Sequence, residues 1–242
     1  MTDVFFQCLS GLLFIFAMTT LGSLLTCLLP NNFILRYKSI INGFSAGIMI
    51  AAAVWSLILP SLAFETGIPP VVAVVAGVLF GSLFMFAIGK IFSEEGGDYK
   101  RFYIAVTAHN VPEGIAVGFA FGAAAIGGIT ALSALGVAFG IGVQNLPEGA
   151  AISLPARKTA GRKKALLLGV TSGMVEPLGG LFGFFLARAA TLLLPYLMSF
   201  SAGAMIYEMF ADVTAEDGEG EKFALGAVLG FIIMMAADVL LG

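Results

Sequence analysis

Long apolar runs separated by short polar breaks occupy almost the whole chain. Each run extends over about 20 residues or more, the length at which an α-helix crosses the hydrocarbon core of a bilayer. Breaks at charged residues, proline and glycine predict eight helices, at about 4–29, 39–64, 69–91, 102–122, 127–155, 165–187, 190–213 and 223–242. The pattern therefore predicts an all-α polytopic membrane protein with a single transmembrane domain over residues 1–242.

Residues 102–156 contain two near-copies of one polar motif, HNVPEG and QNLPEG, inside otherwise apolar sequence. The acidic and basic side chains of this stretch are His109, Glu113 and Glu148. The stretch is too long for one crossing, so it must fold back once, and FGAAAIGG at residues 121–128 is the predicted turn. The motifs then lie on helices four and five, which run in opposite directions. This arrangement suggests inverted-repeat pseudo-symmetry.

Composition agrees with a membrane protein and excludes a nucleic-acid partner. The chain is 59% hydrophobic and 11% charged, and its mean hydropathy is +1.01. These values lie far outside the range of soluble globular proteins. The net charge is -3, and no cluster of basic residues resembles a nucleic-acid-binding face. The expected surroundings are the lipid bilayer.

Basic residues mark one side of the predicted membrane domain. Eleven of the twelve Lys and Arg residues fall at odd-numbered connections between the predicted helices, and only Arg188 falls elsewhere. The positive-inside rule makes the side richer in these residues cytoplasmic. Eight crossings place both termini on one side, so we expect external termini, in a bacterial inner membrane.

The polar motifs lie at a common depth under this topology. At about 1.5 Å of rise per residue, four side chains lie roughly 12 to 20 Å from the basic ends of their helices: His109, Glu113, Gln144 and Glu148. Glu176, in GMVEPLGG on helix six, lies about 18 Å in by the same measure. Three carboxylates and one imidazole are therefore expected within one slab of the membrane.

Spacing within each motif brings its polar groups together. Residues four apart share a helix face, which pairs His109 with Glu113 and Gln144 with Glu148. The amides within reach of the glutamates are Asn110 and Asn145. Interhelical hydrogen bonding is the alternative role for the three amide side chains.

Prolines on these helices free backbone carbonyls for other partners. A proline inside a helix clashes with the carbonyl four residues earlier and leaves it unpaired. The carbonyls affected in this way are those of Ala108 by Pro112, Val143 by Pro147 and Gly173 by Pro177. In hydrocarbon such carbonyls are tolerated only where they line a cavity or find a partner.

Acidic side chains at membrane depth indicate function, because each costs about 3 kcal/mol or more in hydrocarbon. This argument is strongest for the three central glutamates. A second set of acids marks a candidate pathway, with Asp238 toward the outer end of helix eight and Glu208 and Asp212 toward the inner end of helix seven. An interfacial structural role is the alternative for these three.

The paired motifs, followed by a Glu-Pro on the sixth of eight helices, resemble the Zrt/Irt-like (ZIP) family of divalent metal transporters, in particular its prokaryotic GufA-like branch. The resemblance implies one metal position formed by His109, Glu113, Gln144 and Glu148. It implies a second formed by Asn110, Asn145 and Glu176, with Glu113 and Glu148 bridging the two. It also implies a thioether ligand at Met49 on helix two, a homodimer, and movement of helices one, four, five and six against the rest.

The chain departs from the family pattern at particular positions. Many eukaryotic members have histidine where this chain has Gln144, and some close relatives have aspartate where it has Asn145. The connection IFSEEGGDYKR between helices three and four lacks the histidines found in many members. Metal sensing through that connection is therefore not expected.

These observations favour a carrier for divalent transition metals, zinc first and then cadmium, iron or manganese, rather than an enzyme. We expect one or two transported ions in the central site and no prosthetic group. An intramembrane metallohydrolase is an alternative, disfavoured by the single histidine and the missing HExxH motif. A proton or sodium carrier that uses the same carboxylates is the other alternative.

Overall fold

The computed structural model describes residues 2–65, 67–92, 99–189, 191–215 and 220–241, and every regular element in these ranges is a helix. We number the eight long helical segments α1 to α8, with α6 in two parts. Their bounds are α1 Thr2–Leu28, α2 Asn31–Ala51, α3 Pro70–Phe92, α4 Tyr99–Ala125, α5 Ala131–Ala160, α6a Arg162–Gly173, α6b Val175–Ala189, α7 Leu194–Ala215 and α8 Gly220–Leu241. The predicted all-α fold is confirmed.

Five segments of the described chain are long and apolar enough to cross a membrane: Asp3–Leu28, Arg36–Ser61, Pro70–Ile91, Arg162–Ala187 and Gly220–Leu240. Helices α4, α5 and α7 have comparable lengths, but their polar residues lower their mean hydropathy. Helices α4 and α5 carry the two motifs, and α7 carries Glu208. The helices with the weakest hydropathy signal are therefore those that carry the chemistry.

The turn between α4 and α5 is shorter than the apolar pattern predicts. Helix α4 continues to Ala125, because the alanine run before it favours helix. The chain then reverses at Gly127, whose φ of 81° lies in the left-handed region that glycine adopts without strain. Helix α5 starts after Thr130, whose hydroxyl accepts a hydrogen bond from the Ser133 amide at 3.0 Å.

Helix two begins and ends differently from the predicted 39–64. It starts at Asn31, directly after Pro30, which holds an extended conformation. After Ala51 it continues as a π-helix over Ala52–Ile58 and ends in the short α-helix Leu59–Ser61. The π-helix was not predicted, because hydrophobic periodicity does not distinguish one wide turn within a buried helix.

Helix six, predicted as one element, is broken at Met174. The backbone amide of Met174 still bonds to the Val170 carbonyl, after which α6b begins at Val175. Pro177 explains the break, since its ring excludes the normal helical bond to the Gly173 carbonyl. The break places Glu176 in the first turn of α6b.

Helix packing follows an inverted repeat. The most extensive pairings are α1 with α5, α4 with α6b, α2 with α8 and α3 with α7. An inverted repeat relates α1 to α6, α2 to α7, α3 to α8 and α4 to α5. Under this relation, the α1–α5 pair corresponds to the α6–α4 pair. The α2–α8 pair corresponds in the same way to the α7–α3 pair. This relation is expected of inverted repeats around a central pair, as the two motif copies suggested.

The pairings combine into two groups of four helices. We call α1, α4, α5 and α6 the motif group and α2, α3, α7 and α8 the partner group. Contacts within each group are more extensive than contacts between the groups, which are made mainly by α2 with α5 and by α4 with α7. The fold is thus two bundles joined along a narrower seam.

Glycine lies at the contact of each of the four main helix pairs. An added Cβ atom would lie only 1.9 to 2.0 Å from a carbonyl oxygen of the partner helix at Gly22, Gly47, Gly81 and Gly118. Helices in lipid gain stability from such close backbone approach, because burying apolar side chains gives no advantage over lipid tails. The absence of a side chain at these positions therefore determines which helices pair.

Candidate metal centre

Both motifs lie in helices that continue through their prolines. Helix α4 passes through Pro112 and α5 through Pro147. Measured along the helices from their basic ends, Glu113, Glu148 and Glu176 all lie about 20 Å in. The three carboxylates therefore lie at similar distances from the basic ends of their helices.

The polar side chains of the two motifs are buried together. Asn110, Gln144 and Asn145 are fully buried, and Glu113 is 1% exposed. Glu148 is half-buried. The Gln144 amide nitrogen donates a short hydrogen bond to Glu113 Oε1. This bond joins the first residue of the second motif to the glutamate of the first.

Glu176 is held by residues from two other helices. Thr19 on α1 donates from Oγ1 to Glu176 Oε1 at 2.7 Å, and Asn110 on α4 donates from Nδ2 to the same oxygen at 3.3 Å. Asn110 Nδ2 also lies 3.3 Å from Ser172 Oγ. The bonds connect α1, α4 and both parts of α6 at one point, so the motif group meets at Glu176.

Four carboxylates share this region. Glu148, Glu208 and Glu176 lie near enough to Glu113 for their negative charges to repel its carboxylate. Glu208 is 8% exposed and belongs to α7 of the partner group. The sequence placed Glu208 on the inner pathway, and the structure brings it within electrostatic range of the centre.

Several buried oxygens of the cluster have no hydrogen-bond partner in the described part of the chain. They are Asn110 Oδ1, Glu113 Oε2, Gln144 Oε1, Asn145 Oδ1 and Glu176 Oε2. A buried oxygen without a partner costs about 1–3 kcal/mol. A divalent cation would compensate that cost, because carboxylate and amide oxygens are both metal ligands.

No three His, Cys, Asp or Glu side chains within the described residues lie close enough together to hold a metal ion. The side chain of His109 lies outside the part that the structure describes, although its backbone belongs to α4. A complete coordination shell therefore needs the amide oxygens, His109, or both. This donor set is richer in oxygen than that of most zinc sites.

Met49 is 1% exposed and packs in the main apolar cluster of the protein. Ser45, one turn earlier on α2, donates from Oγ to the Gln144 carbonyl at 3.4 Å. Since residues four apart share a helix face, Met49 lies on the side of α2 that meets α5.

The pathway residue Asp238 joins α8 to helix two. Near the C-terminal end of α8, it accepts a hydrogen bond at 2.6 Å from Ser56 in the π-helix of helix two. Its second oxygen, Oδ2, is buried and has no hydrogen-bond partner among the described residues. The Asp212 side chain lies outside the described part of the chain.

Sequence reasoning missed the hydroxyl residues that support the site: Thr19, Ser45, Ser56 and Ser172. Small hydroxyl side chains are common in membrane helices, where they also bond to their own backbone or to a neighbouring helix. Their spacing in an apolar run gives no signal for a distant carboxylate. Only the fold reveals their partners.

Comparison with known proteins identifies relatives for most of the chain. Residues 99–238 match the family described as ZIP Zinc transporter. The zinc transporter GufA of Myxococcus xanthus is 32% identical over 210 residues, which cover 78% of this chain and 81% of that protein. The zinc transporter ZIPB of Bordetella bronchiseptica is 35% identical over 251 residues, covering 94% of this chain and 79% of that protein.

Animal relatives match over a smaller part of their length. The human zinc transporter ZIP11 is 38% identical over 162 residues, or 64% of this chain and 47% of that protein. The cattle and frog proteins of the same name are matched over 46% of their length. The chain therefore spans about half the length of these curated relatives.

Proposed function

Because the chain belongs to the ZIP family of zinc transporters, we propose that it carries divalent transition-metal ions, zinc first, across the membrane toward the cytoplasm. Cadmium, iron and manganese are the further substrates in this proposal. The donors are carboxylates, amides, one imidazole and one thioether, a mixture that discriminates only modestly among these metals.

The observation that carries the proposal is the buried cluster where the two motifs meet. Glu113 and Gln144 come from antiparallel helices and are in contact near the middle of those helices, and Glu176 adjoins Asn110 beside them. Buried oxygens without hydrogen-bond partners among the described residues surround them. A purely structural cluster would leave that polar surface uncompensated, whereas a cation would satisfy it.

We assign the first metal position to His109, Glu113, Gln144 and Glu148, and the second to Asn110, Asn145 and Glu176, with Glu113 and Glu148 shared. Gln144 is already in contact with Glu113, and Asn110 with Glu176, which supports this division. Met49 would add a thioether to the first position. One or two ions would occupy the centre during transport.

The division into two helix groups supports a carrier mechanism. The motif group supplies every central ligand except Met49, and the partner group supplies Glu208 and Asp238. We propose that the motif group moves against the partner group and carries the ion with it. We further propose external termini, a bacterial inner membrane and a homodimer, as the charge distribution and the family resemblance suggested.

The alternative functions fit the arrangement less well. A metallohydrolase needs an ion with an open coordination position and a bound water that reaches a substrate. The central carboxylates and amides lie in the bundle interior, and the relatives bear the names of transporters. A proton or sodium carrier would use the carboxylates but has no need for His109 or Met49.

Uptake of radioactive zinc into proteoliposomes tests the proposed function. We expect Glu148→Ala and His109→Ala to abolish uptake, because each removes a ligand from the first metal position. Glu65→Ala is the matched control, since Glu65 is an exposed acid at the end of helix two. Size-exclusion chromatography of each variant verifies folding.

The same assay separates the alternatives. Zinc uptake at the parental rate in both site variants would contradict the assigned centre. Flux of protons or sodium that needs no divalent metal would favour the ion-carrier alternative.

A further inference from the structure

An apolar groove opens on the membrane-facing surface of the protein between the two helix groups. Its volume is about 490 Å³. Its walls include Leu25 of α1, Leu29 directly after α1, Ile41 of α2, Leu146 of α5 and Leu229 of α8, and Thr26 is the polar residue of the lining. Ile41 and Leu229 are 37% and 45% exposed, so the groove is open to lipid.

The groove adjoins the second motif, QNLPEG. Leu146 and Pro147, which belong to QNLPEG, form part of its wall. Helices α1 and α5 of the motif group form one side, and α2 and α8 of the partner group form the other. Whatever fills the groove therefore contacts both groups at once.

Basic side chains surround the end of the groove that the positive-inside rule makes cytoplasmic. Arg157 on α5 donates from one guanidinium nitrogen to the carbonyls of Thr26 and Leu29, two residues of the lining. Arg36 and Lys38 are exposed on α2, one turn before the groove-lining residues Ile40 and Ile41. Residues three or four apart share a helix face, so these two cations lie above the groove.

We propose that the groove binds one acyl chain of an anionic phospholipid from the cytoplasmic leaflet. The apolar lining excludes water and accommodates a hydrocarbon chain. The phosphate of the headgroup would then lie beside Arg36, Lys38 and Arg157. Because lipid tails have no hydrophobic preference for protein over bilayer, the basic residues provide the selectivity for an anionic headgroup.

A second copy of the chain fits the groove less well. Most protein dimers have two-fold symmetry, which brings the same surface of each subunit together. Two concave surfaces placed face to face leave both grooves unfilled. An acyl chain fills the groove without requiring a protruding partner.

Lipid in this seam would resist relative movement of the two helix groups. This effect on transport rests on the function proposed above, whereas lipid binding itself does not. Measuring lipid retention and zinc uptake separately distinguishes the lipid proposal from the proposed function. Lipid retention without transport would leave the groove assignment intact.

Native mass spectrometry of the detergent-solubilised full chain tests lipid binding. The probes are phosphatidylglycerol and phosphatidylcholine with identical acyl chains. We expect one phosphatidylglycerol per chain to be retained in preference to phosphatidylcholine. Leu229→Trp, which fills the groove, should remove this lipid, and Ile41→Trp makes the same test from the opposite wall.

Two controls accompany these variants. Leu225→Trp places the same side chain one turn earlier on α8, at a residue that is 56% exposed and outside the lining, and should retain the lipid. Arg36→Gln with Lys38→Gln should lower phosphatidylglycerol retention by roughly tenfold or more, since each basic residue near an anionic headgroup contributes about fivefold. Lys90→Gln on α3 should have no effect.

Three outcomes would overturn the proposal. The first is equal retention by the parent, Leu229→Trp and Ile41→Trp. The second is equal retention of the two phospholipids by the parent. The third is efficient disulfide cross-linking of two chains through Leu229→Cys, in protein whose Cys8 and Cys27 are replaced by alanine, because the groove would then be covered by a second copy.

Discussion

Glu176 presents its two carboxylate oxygens to different surroundings. Oε1 accepts hydrogen bonds from Thr19 and Asn110, whereas Oε2 is buried and has no hydrogen-bond partner among the described residues. The first oxygen fixes the orientation of the carboxylate, and the second is available for a cation. Thr19 therefore positions the carboxylate of Glu176, which we propose as a metal ligand.

Removing the Thr19 hydroxyl should weaken zinc binding without removing a ligand. A hydrogen bond to a charged group contributes about 1.5–3 kcal/mol, so Thr19→Val should raise the half-saturation concentration for zinc by roughly one to two orders of magnitude. The maximal uptake rate should change less. Concentration-dependent uptake into proteoliposomes measures both quantities.

Thr20→Val is a matched control for this substitution. The Thr20 hydroxyl lies on the same helix, is buried, and has no hydrogen-bond partner in the described part of the chain. Thr19→Ser, which keeps the donor, should restore the parental concentration dependence. Identical effects of Thr19→Val and Thr20→Val would show that a general change in α1, rather than the bond to Glu176, is responsible.

The sequence predicts the members of the buried polar cluster better than the residues that support them. Glu113, Gln144 and Asn110 could be predicted because a charged or amide group in hydrocarbon is costly and shares a helix face with its motif neighbours. Thr19 could not be predicted, since its partner Glu176 lies 157 residues away in the chain. Glu208 was predicted on the pathway, but its distance from Glu113 depends on how α7 packs.

Each main helix pair depends on glycine at its contact. At Gly47 of α2, an added Cβ would lie 2.0 Å from the Ala227 carbonyl oxygen and 2.7 Å from the Phe231 amide nitrogen of α8. Backbone atoms cannot rotate away as a flexible side chain does. Any larger residue at this position must therefore separate the two helices.

Substituting Gly47 should destabilise the protein through packing alone. Gly47→Leu should cost about 2–3 kcal/mol by forcing α2 and α8 apart, which lowers the Tm by roughly 5–10 °C. Thermal unfolding in detergent, followed by tryptophan fluorescence, gives the Tm. The reporter is Trp55 on helix two, whose ring packs against Phe231.

Gly89→Leu on α3 provides the comparison. Among the described residues, no heavy atom outside the neighbouring backbone of α3 lies within 4 Å of a Cβ built at Gly89, so Gly89→Leu gains the same helix propensity without a clash. Its Tm should equal or exceed that of the parent. A Tm for Gly47→Leu as high as that for Gly89→Leu would mean that α2 and α8 are not closely packed.

Hydrophobic patterning predicted the existence and order of the helices, because each long apolar run is long enough to span the bilayer. It did not predict the π-helix at Ala52–Ile58 or the break at Met174. The break could have been inferred from Pro177, whose effect on the Gly173 carbonyl was recognised. Its counterparts Pro112 and Pro147 lie in helices that stay continuous, so a proline alone does not determine a break.

At the scale of the molecule, the partner group contributes two acidic residues, Glu208 and Asp238. Glu208 on α7 lies within electrostatic range of Glu113. Asp238 lies near the C-terminal end of α8, where Ser56 of the π-helix holds one of its oxygens. Under the proposed topology, an ion that moves inward would meet Asp238 first and Glu208 after the proposed central ligands.

Neutralising Asp238 should reduce the capture of ions from the outer side. We expect Asp238→Asn to raise the half-saturation concentration for zinc roughly threefold to tenfold, because a negative charge at the opening concentrates cations there. The number of ions bound by solubilised protein, measured by calorimetry, should stay unchanged. Raising the ionic strength should reduce the difference from the parent.

Asp3→Asn removes the same charge from the exposed first turn of α1, which the proposed topology places on the same side. It should leave the half-saturation concentration at the parental value. If Asp238→Asn behaves like Asp3→Asn, the Asp238–Ser56 contact serves packing alone.

The order of helix pairing has a consequence for how the protein is made. All four main pairs join helices that are separated by at least one other helix in the chain, and the main partners of α2 and α3 are α8 and α7. A nascent chain that has released α6 into the bilayer already has partners for α1 and α4. Its helices α2 and α3 still lie in the bilayer without their main partners. The partner group therefore becomes complete only after α8 has been synthesised, later than the motif group.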